Sequence, residues 1–182
     1  MTYKNIFSFE PSELHVAEEI AKLSKNYEVF FPVKDVGVDL IVSKNLSDGH
    51  RQVITIQVKA SRMFEDSVET GLSTFWIKLD PKKLEVFSKK VDYYIFVFYK
   101  TIYEKDSIPH FEREYIVIPT KDLIKKSKNK KGWKKGWLNY YFVLYPNGDI
   151  MELRDVNKKN LENEKKKEWR NYSKYRNAFD LL

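Results

Sequence analysis

The chain has 182 residues, 42% of them hydrophobic and 15% aromatic, with a net charge of +7. That apolar share supports a buried core and excludes a chain disordered throughout. The absence of cysteine excludes disulfides and thiolate metal sites. No stretch reaches the roughly 18 apolar residues of a membrane span, and Met1 to Glu10 holds no apolar leader segment; a soluble cytoplasmic protein is the expectation.

Met1 to Phe9 has no clear pattern. Pro11 to Lys25 predicts a helix: Pro11 suits a first turn, Ser8 to Glu10 stand where capping residues would, and Val16, Ala17, Ile20 and Leu23 follow a 3.6-residue period. Glu13 falls on that apolar stripe, so it faces the sheet rather than water. Glu28 to Val33 reads as a short strand stopped by Pro32. Two runs follow, Val36 to Val42 and Val53 to Lys59, joined by Ser47-Asp48-Gly49, a three-residue hairpin loop with glycine where positive φ is needed. Ser73 to Leu79 predicts another strand. Asp80-Pro81 then starts a helix, the aspartate as cap and the proline at its first position, running to Lys89. Asp92 to Tyr99 is continuously aromatic and β-branched, the mark of a strand buried on both faces. Glu114 to Ile118 is a further strand, followed by a short helix capped by Thr120.

Eight lysines and one aspartate lie between Lys121 and Trp137, a local excess of +7. With Gly132 and Gly136, this block reads as a loop, and its charge suits a polyanion, nucleic acid first. The bland alternative is a solvated lysine-rich face. Trp137 to Tyr145, a Pro146-Asn147-Gly148-Asp149 turn and Ile150 to Arg154 form a hairpin, and the tail to Leu182 is partly helical. Trp133, Trp137, Tyr140, Tyr141, Trp169, Tyr172 and Tyr175 interleave with lysines. That mix suits stacking on unpaired bases, although packing in the core or hairpin is the expectation for most of them. His15, His50 and His110 form no cluster and read as surface or packing residues. The sum is an α/β layer fold with a mixed central sheet, residues 1–126 forming a core domain and residues 127–182 a basic loop, hairpin and tail packed on or extending it.

The chemistry sits on the two joined runs. Side chains alternate along a strand, so Gln57 and Lys59 share a face opposite Ile54, Ile56 and Val58, and Asp39 shares one with Gly37 and Ile41. A hairpin centred on Asp48 sets Asp39 across from Gln57. An acid, an amide and an amine then converge. Magnesium takes one or two protein carboxylates and leaves other positions to water and phosphate. Asp39 can anchor it, Gln57 can lend a carbonyl oxygen, Glu13 can add a second carboxylate, and Lys59 can steady an attacking water or developing charge. The structural alternatives are an Asp39–Lys59 salt bridge and a Glu13 that complements its helix dipole.

The order of a helical Glu13, then Gly37-Val38-Asp39-Leu40-Ile41-Val42, then Ile56-Gln57-Val58-Lys59-Ala60-Ser61, resembles the PD-(D/E)xK nuclease superfamily, in its restriction-endonuclease-like and Holliday-junction-resolvase-like branches. The resemblance spans about residues 10–100. It implies an α-β-β-β-α-β core and a metal-dependent endonuclease acting on DNA with Mg²⁺, for which Mn²⁺ would substitute. It further implies Asp39 as principal metal ligand, the Val58 backbone carbonyl as another, Glu13 as auxiliary and Lys59 as catalytic lysine. Val38 replaces the proline of the family pattern, and Gln57 replaces the acid of its second half-motif. A neutral amide binds magnesium more weakly, so a lapsed, nuclease-like scaffold that binds nucleic acid or a protein partner is the alternative. A small interaction module that meets an acidic protein is a third. Ser61, Arg62, Lys130, Lys131, Lys134 and Lys135 are the candidate phosphate contacts. A homodimer is left open because such nucleases often cut two strands; no organic cofactor and no membrane contact is expected.

Overall fold

Among the described residues, eight strands form one open, mostly antiparallel sheet, accompanied by four helices. The structure, a computed structural model, describes residues 2–3, 10–35, 37–67, 71–102, 108, 110–134 and 136–182. In chain order the elements are β1 (Thr2–Tyr3), α1 (Pro11–Leu23), β2 (Tyr27–Phe30), β3 (Lys34–Asp35), β4 (Leu40–Asn45), β5 (Arg51–Ser67), β6 (Leu72–Leu79), α2 (Pro81–Phe87), β7 (Tyr93–Ile102), β8 (His110–Pro119), α3 (Thr120–Ser127), β9 (Leu138–Leu144), β10 (Ile150–Glu152) and α4 (Leu161–Lys165), with short 3₁₀ turns in the basic segment and the tail.

The sheet runs β10-β9-β6-β5-β4-β2, with β7 joined to β5 and β8 to β7. It branches at β5. Residues 56–62 of that strand pair parallel with β7, its start pairs antiparallel with β4, and its end pairs antiparallel with β6 after a register shift between Met63 and Glu65. β1 and β3 form a separate two-stranded ribbon.

Alternation along β5 and β7 sorts side chains into two cores. Ile56, Val58, Ile95 and Val97 join Val16 and Ile20 of α1. Tyr94, Phe96 and Phe98 join Val38, Phe75, Tyr140 and Phe142, so β6 and β9 cover the other face. Phe75 stacks on Phe98 with ring centroids 4.6 Å apart. Burying each such side chain contributes about 1.5–3 kcal/mol. β7 is apolar from Tyr93 to Tyr99, and its stretch from Tyr94 to Phe98 is buried on both sides. The C-terminal hairpin extends this same sheet, β9 pairing with β6 from Ser73↔Leu144 to Leu79↔Leu138.

Several expected elements differ. The short helix expected after Pro119 is present over residues 120–127 and takes in the first lysines of the block, while residues 131–134, expected as loop, form a 3₁₀ turn. Leu123, Lys126 and Ser127 are buried there, and the Lys126 ammonium donates to the carbonyls of Glu168 (2.7 Å) and Asn171 (2.8 Å). Thr120 is the first helical residue rather than the cap; Pro119 holds the cap position, without a side-chain cap bond. Glu10 occupies the cap position of α1, also without a side-chain cap bond, while Ser8 lies outside the described residues. The Asp80 cap of α2 is present, its Oδ1 accepting from the Lys82 N–H at 2.9 Å.

Candidate active site

The β4–β5 hairpin places the candidate residues. Gly49 adopts φ +83°, and the Leu46 N–H donates to the His50 carbonyl at 2.8 Å, so Ser47, Asp48 and Gly49 form the loop. The register ends at Leu40↔Ile56, which sets Asp39 across from Gln57.

Asp39 itself precedes β4, and Val36 lies outside the described residues, so the first run enters the sheet later than its sequence suggests. The reason is Gly37. It adopts φ +83°, and a Cβ there would stand 2.4 Å from the Phe87 ring of α2. A left-handed residue against that ring turns the chain, and Val38 packs in the core that holds Tyr94 and Phe96, not with Leu40 and Val42.

Beyond the last ladder pair the Asp39 side chain takes over the pairing. Its Oδ2 accepts from the Val58 backbone N–H at 2.8 Å and from the Gln57 amide, Nε2 donating. Gln57 Nε2 also points at the Val58 carbonyl oxygen, 3.4 Å away. Asp39 is 6% exposed and Gln57 4%. Gln57 and Lys59 are in register with Tyr94 and Phe96 of β7, so both face the aromatic core. Lys59 is half-buried and makes no hydrogen bond or ion pair among the described residues. Burial first, and then the Asp39 charge, hold the Tyr94 phenol well above its ordinary value of 10.0. Tyr94 was not visible as a site residue, because parallel pairing of β5 with β7 leaves no local trace in the sequence.

Glu13 is 5% exposed and lies on the buried stripe of α1 with Val16 and Ile20. That stripe packs on the face carrying Ile56 and Val58. The helix of Glu13 thus covers the opposite face from Gln57 and Lys59.

Ser61 and Arg62 line a cleft of about 330 Å³ with Ser12 and His15 of α1 and Tyr99 of β7. The Ser61 hydroxyl is engaged internally, accepting from the Trp76 N–H at 3.1 Å and donating to the Arg62 carbonyl at 3.0 Å. Arg62 is exposed. His15 Nδ1 and the Tyr99 hydroxyl share a hydrogen bond of 2.8 Å. The sequence offered no reason to single out this pair, since its members are far apart in the chain.

The basic residues separate. Lys130 is buried against Glu152, Nζ to Oε1 2.7 Å, and is not available to a phosphate. Lys131 and Lys134 are exposed, and Lys135 lies outside the described residues.

Among the described residues no group of three or more His, Asp or Glu side chains gathers to hold a cation. The donors that do converge are one carboxylate, one amide and one backbone carbonyl. That set suits magnesium, which binds proteins through few carboxylates and keeps water and phosphate in its remaining positions. Half a turn about the last torsion of Gln57, a soft one, exchanges Nε2 for Oε1 and offers an oxygen where the nitrogen stands. Compared with protein-family models, with curated proteins and with solved structures, the chain gives no significant match.

Proposed function

We propose that this chain is a divalent-metal-dependent nuclease that hydrolyses phosphodiester bonds of DNA, built on a PD-(D/E)xK-type core with glutamine in the second half-motif. One observation carries the reading: Asp39, Gln57 and the Val58 carbonyl are tied together where β4 leaves β5, with Lys59 on the same face and, among the described residues, without a partner. A divalent cation at this point would polarise a phosphate and sharpen a water nucleophile. Lys59 meets the negative charge that develops on the phosphate oxygens, and burial of Asp39 strengthens every electrostatic contact there. The linear order α1, β4, β5, β6, α2, β7 and the parallel β5–β7 pairing agree with the α-β-β-β-α-β core of that superfamily, with β2 and β3 inserted. Glu13 approaches from the other side of the sheet and serves this reading only as an auxiliary group.

The test is cleavage of single-stranded, duplex and branched DNA with Mg²⁺ or Mn²⁺. Asp39→Ala and Lys59→Ala should each abolish it while circular dichroism stays unchanged. Failure of the unaltered protein to cut any of the three substrates with either metal would sink the proposal.

A second reading has its own observation. The Gln57 amide nitrogen bridges Asp39 and the Val58 carbonyl, as a cation would, which suits a lapsed site on a binding scaffold. Calorimetry with Mn²⁺ separates the two. An active site binds the metal and binds it more tightly after Gln57→Glu; a lapsed one shows no heat in either form.

A further inference from the structure

The lysine-rich α3, the 3₁₀ turn after it and the C-terminal tail enclose two adjoining cavities away from β4 and β5. The larger, about 590 Å³, is lined by five cationic side chains and two carboxylates, with Trp137 and Trp169 in its walls. The smaller, about 350 Å³, is lined by four cationic side chains and two carboxylates. Both volumes fall in the roughly 300–1,000 Å³ range of small-ligand sites. Asn129, Lys167 and Trp169 border both cavities, so Trp169 divides one continuous groove.

The indoles are held in place by cations. The Arg170 guanidinium lies 4.2 Å from the Trp169 ring centroid and the Lys78 ammonium 4.0 Å from that of Trp137. Trp137 is 50% exposed. Arg170 is anchored behind Trp169 by Glu152 and Glu164, which sets the ring before any ligand arrives. Lys131 and Lys125 are exposed and unpaired among the described residues.

We infer that this groove binds single-stranded nucleic acid, with an unpaired base stacked on the Trp169 face opposite Arg170 and the backbone held by Lys131 and Lys125. An aromatic ring accepts any base face, and while Lys130, Arg154, Lys167 and Arg170 are engaged by carboxylates of the protein, Lys131 and Lys125 can meet phosphates without reading sequence. Two cavities sharing one tryptophan fit successive nucleotides of a strand better than one free nucleotide. The inference goes beyond the nuclease reading and does not need it, because binding is measured with the divalent cation removed.

The experiment is fluorescence anisotropy of a labelled thymidine oligomer, and of its uridine counterpart, titrated with the full chain in EDTA. The unaltered protein binds at least one of them, the pair showing which sugar is preferred. Trp169→Ala weakens binding about fivefold or more, and Trp169→Phe restores most of it. Lys131→Ala, at an exposed position, reduces the slope of log K against log salt by about 0.7, while Lys22→Ala on α1 changes nothing. Equal affinity for a blunt duplex, displacement of the oligomer by an equal concentration of thymidine monophosphate, or unchanged binding by both Trp169→Ala and Lys131→Ala would overturn the inference.

Discussion

Replacing Glu152 with alanine is the severest test of how the C-terminal half is held. Glu152 is fully buried on β10. Its Oε1 accepts from Lys130 Nζ at 2.7 Å and from the backbone N–H groups of Tyr141 (3.2 Å) and Arg154 (3.0 Å), while Oε2 accepts from Arg170 Nη1 at 3.1 Å. The Lys130 and Arg170 side chains are only 7% and 9% exposed. Arg170 keeps a second carboxylate, Glu164, at 2.7 Å, so alanine at 152 strands Lys130 above all. Breaking a buried pair from one side costs about 3–5 kcal/mol. The two orphaned backbone donors belong to the same event, and water entering the vacated space offsets part of their loss, so about 4 kcal/mol is the expected total. At about 2–4 °C per kcal/mol for a chain of this size, the melting temperature should fall by about 8–16 °C.

The pH dependence of that loss has a definite sign. Burial pushes the Lys130 ammonium below its ordinary 10.5, and Glu152 pulls it back up. Without Glu152 the folded value drops further. Between that value and 10.5 the unfolded chain then holds more protons, so stability rises with pH. Urea unfolding of both proteins from neutral pH to about pH 10 should show the deficit of Glu152→Ala shrinking. A deficit under about 1 kcal/mol at neutral pH, or one that grows with pH, refutes the buried-pair reasoning.

Three further expectations follow from single contacts. Asp80→Ala removes the cap of α2, whose carboxylate accepts from the Lys82 and Lys83 N–H groups, and should lower stability by about 1 kcal/mol in urea melts. Burial pushes the Glu114 carboxyl up, but the hydrogen bond and charge of Arg176 outweigh it and leave it below 4.5; its contribution is therefore full above 4.5 and lost as pH falls through the lowered folded value, and acid titration of Glu114→Gln should show a shallower loss. Gly37→Ala forces a Cβ into the Phe87 ring at φ +83°; it should cost about 2 kcal/mol or more, about 1–2 of it from the left-handed backbone alone, and a melt unchanged within about 0.5 kcal/mol would contradict the close approach.

What was legible in the sequence was what neighbours in the chain decide. The hairpin centre at Asp48 followed from one turn glycine and two apolar runs, and it set Asp39 across from Gln57. The Asp80-Pro81 start of α2 and the buried stripe of α1 were equally local. What stayed hidden depends on distant partners. Val53 to Lys59 read as a short strand, yet β5 extends to Ser67, because β6 and β7 supply ladders that local pattern does not announce. Lys130 read as a surface charge, since only Glu152, brought alongside by the β9–β10 hairpin, makes its burial tolerable. The same folding back of the tail turned Tyr140, Tyr172 and Tyr175 into core residues and left Trp137 at the surface.

Glutamine at position 57 has a physical rationale in the surroundings of Asp39. Both side chains are almost fully buried and in contact. A glutamate there would set two carboxylates against each other in a low-dielectric setting, and one would have to take up a proton or a cation to remain. The amide needs neither: it donates to Asp39 and leaves a single buried charge, shared with the Val58 N–H. The pair is thus self-consistent without a metal, and for the nuclease proposed above the concession would be a weaker grip on the cation, since a neutral oxygen would stand in for an anionic one. On this view Gln57→Glu has opposite effects on the two measurable quantities. It destabilises the metal-free protein wherever both carboxylates are ionised, and it tightens Mn²⁺ binding. A residue kept only for packing would lose stability and gain no metal affinity, so measuring both quantities on one variant separates a working site from a relic.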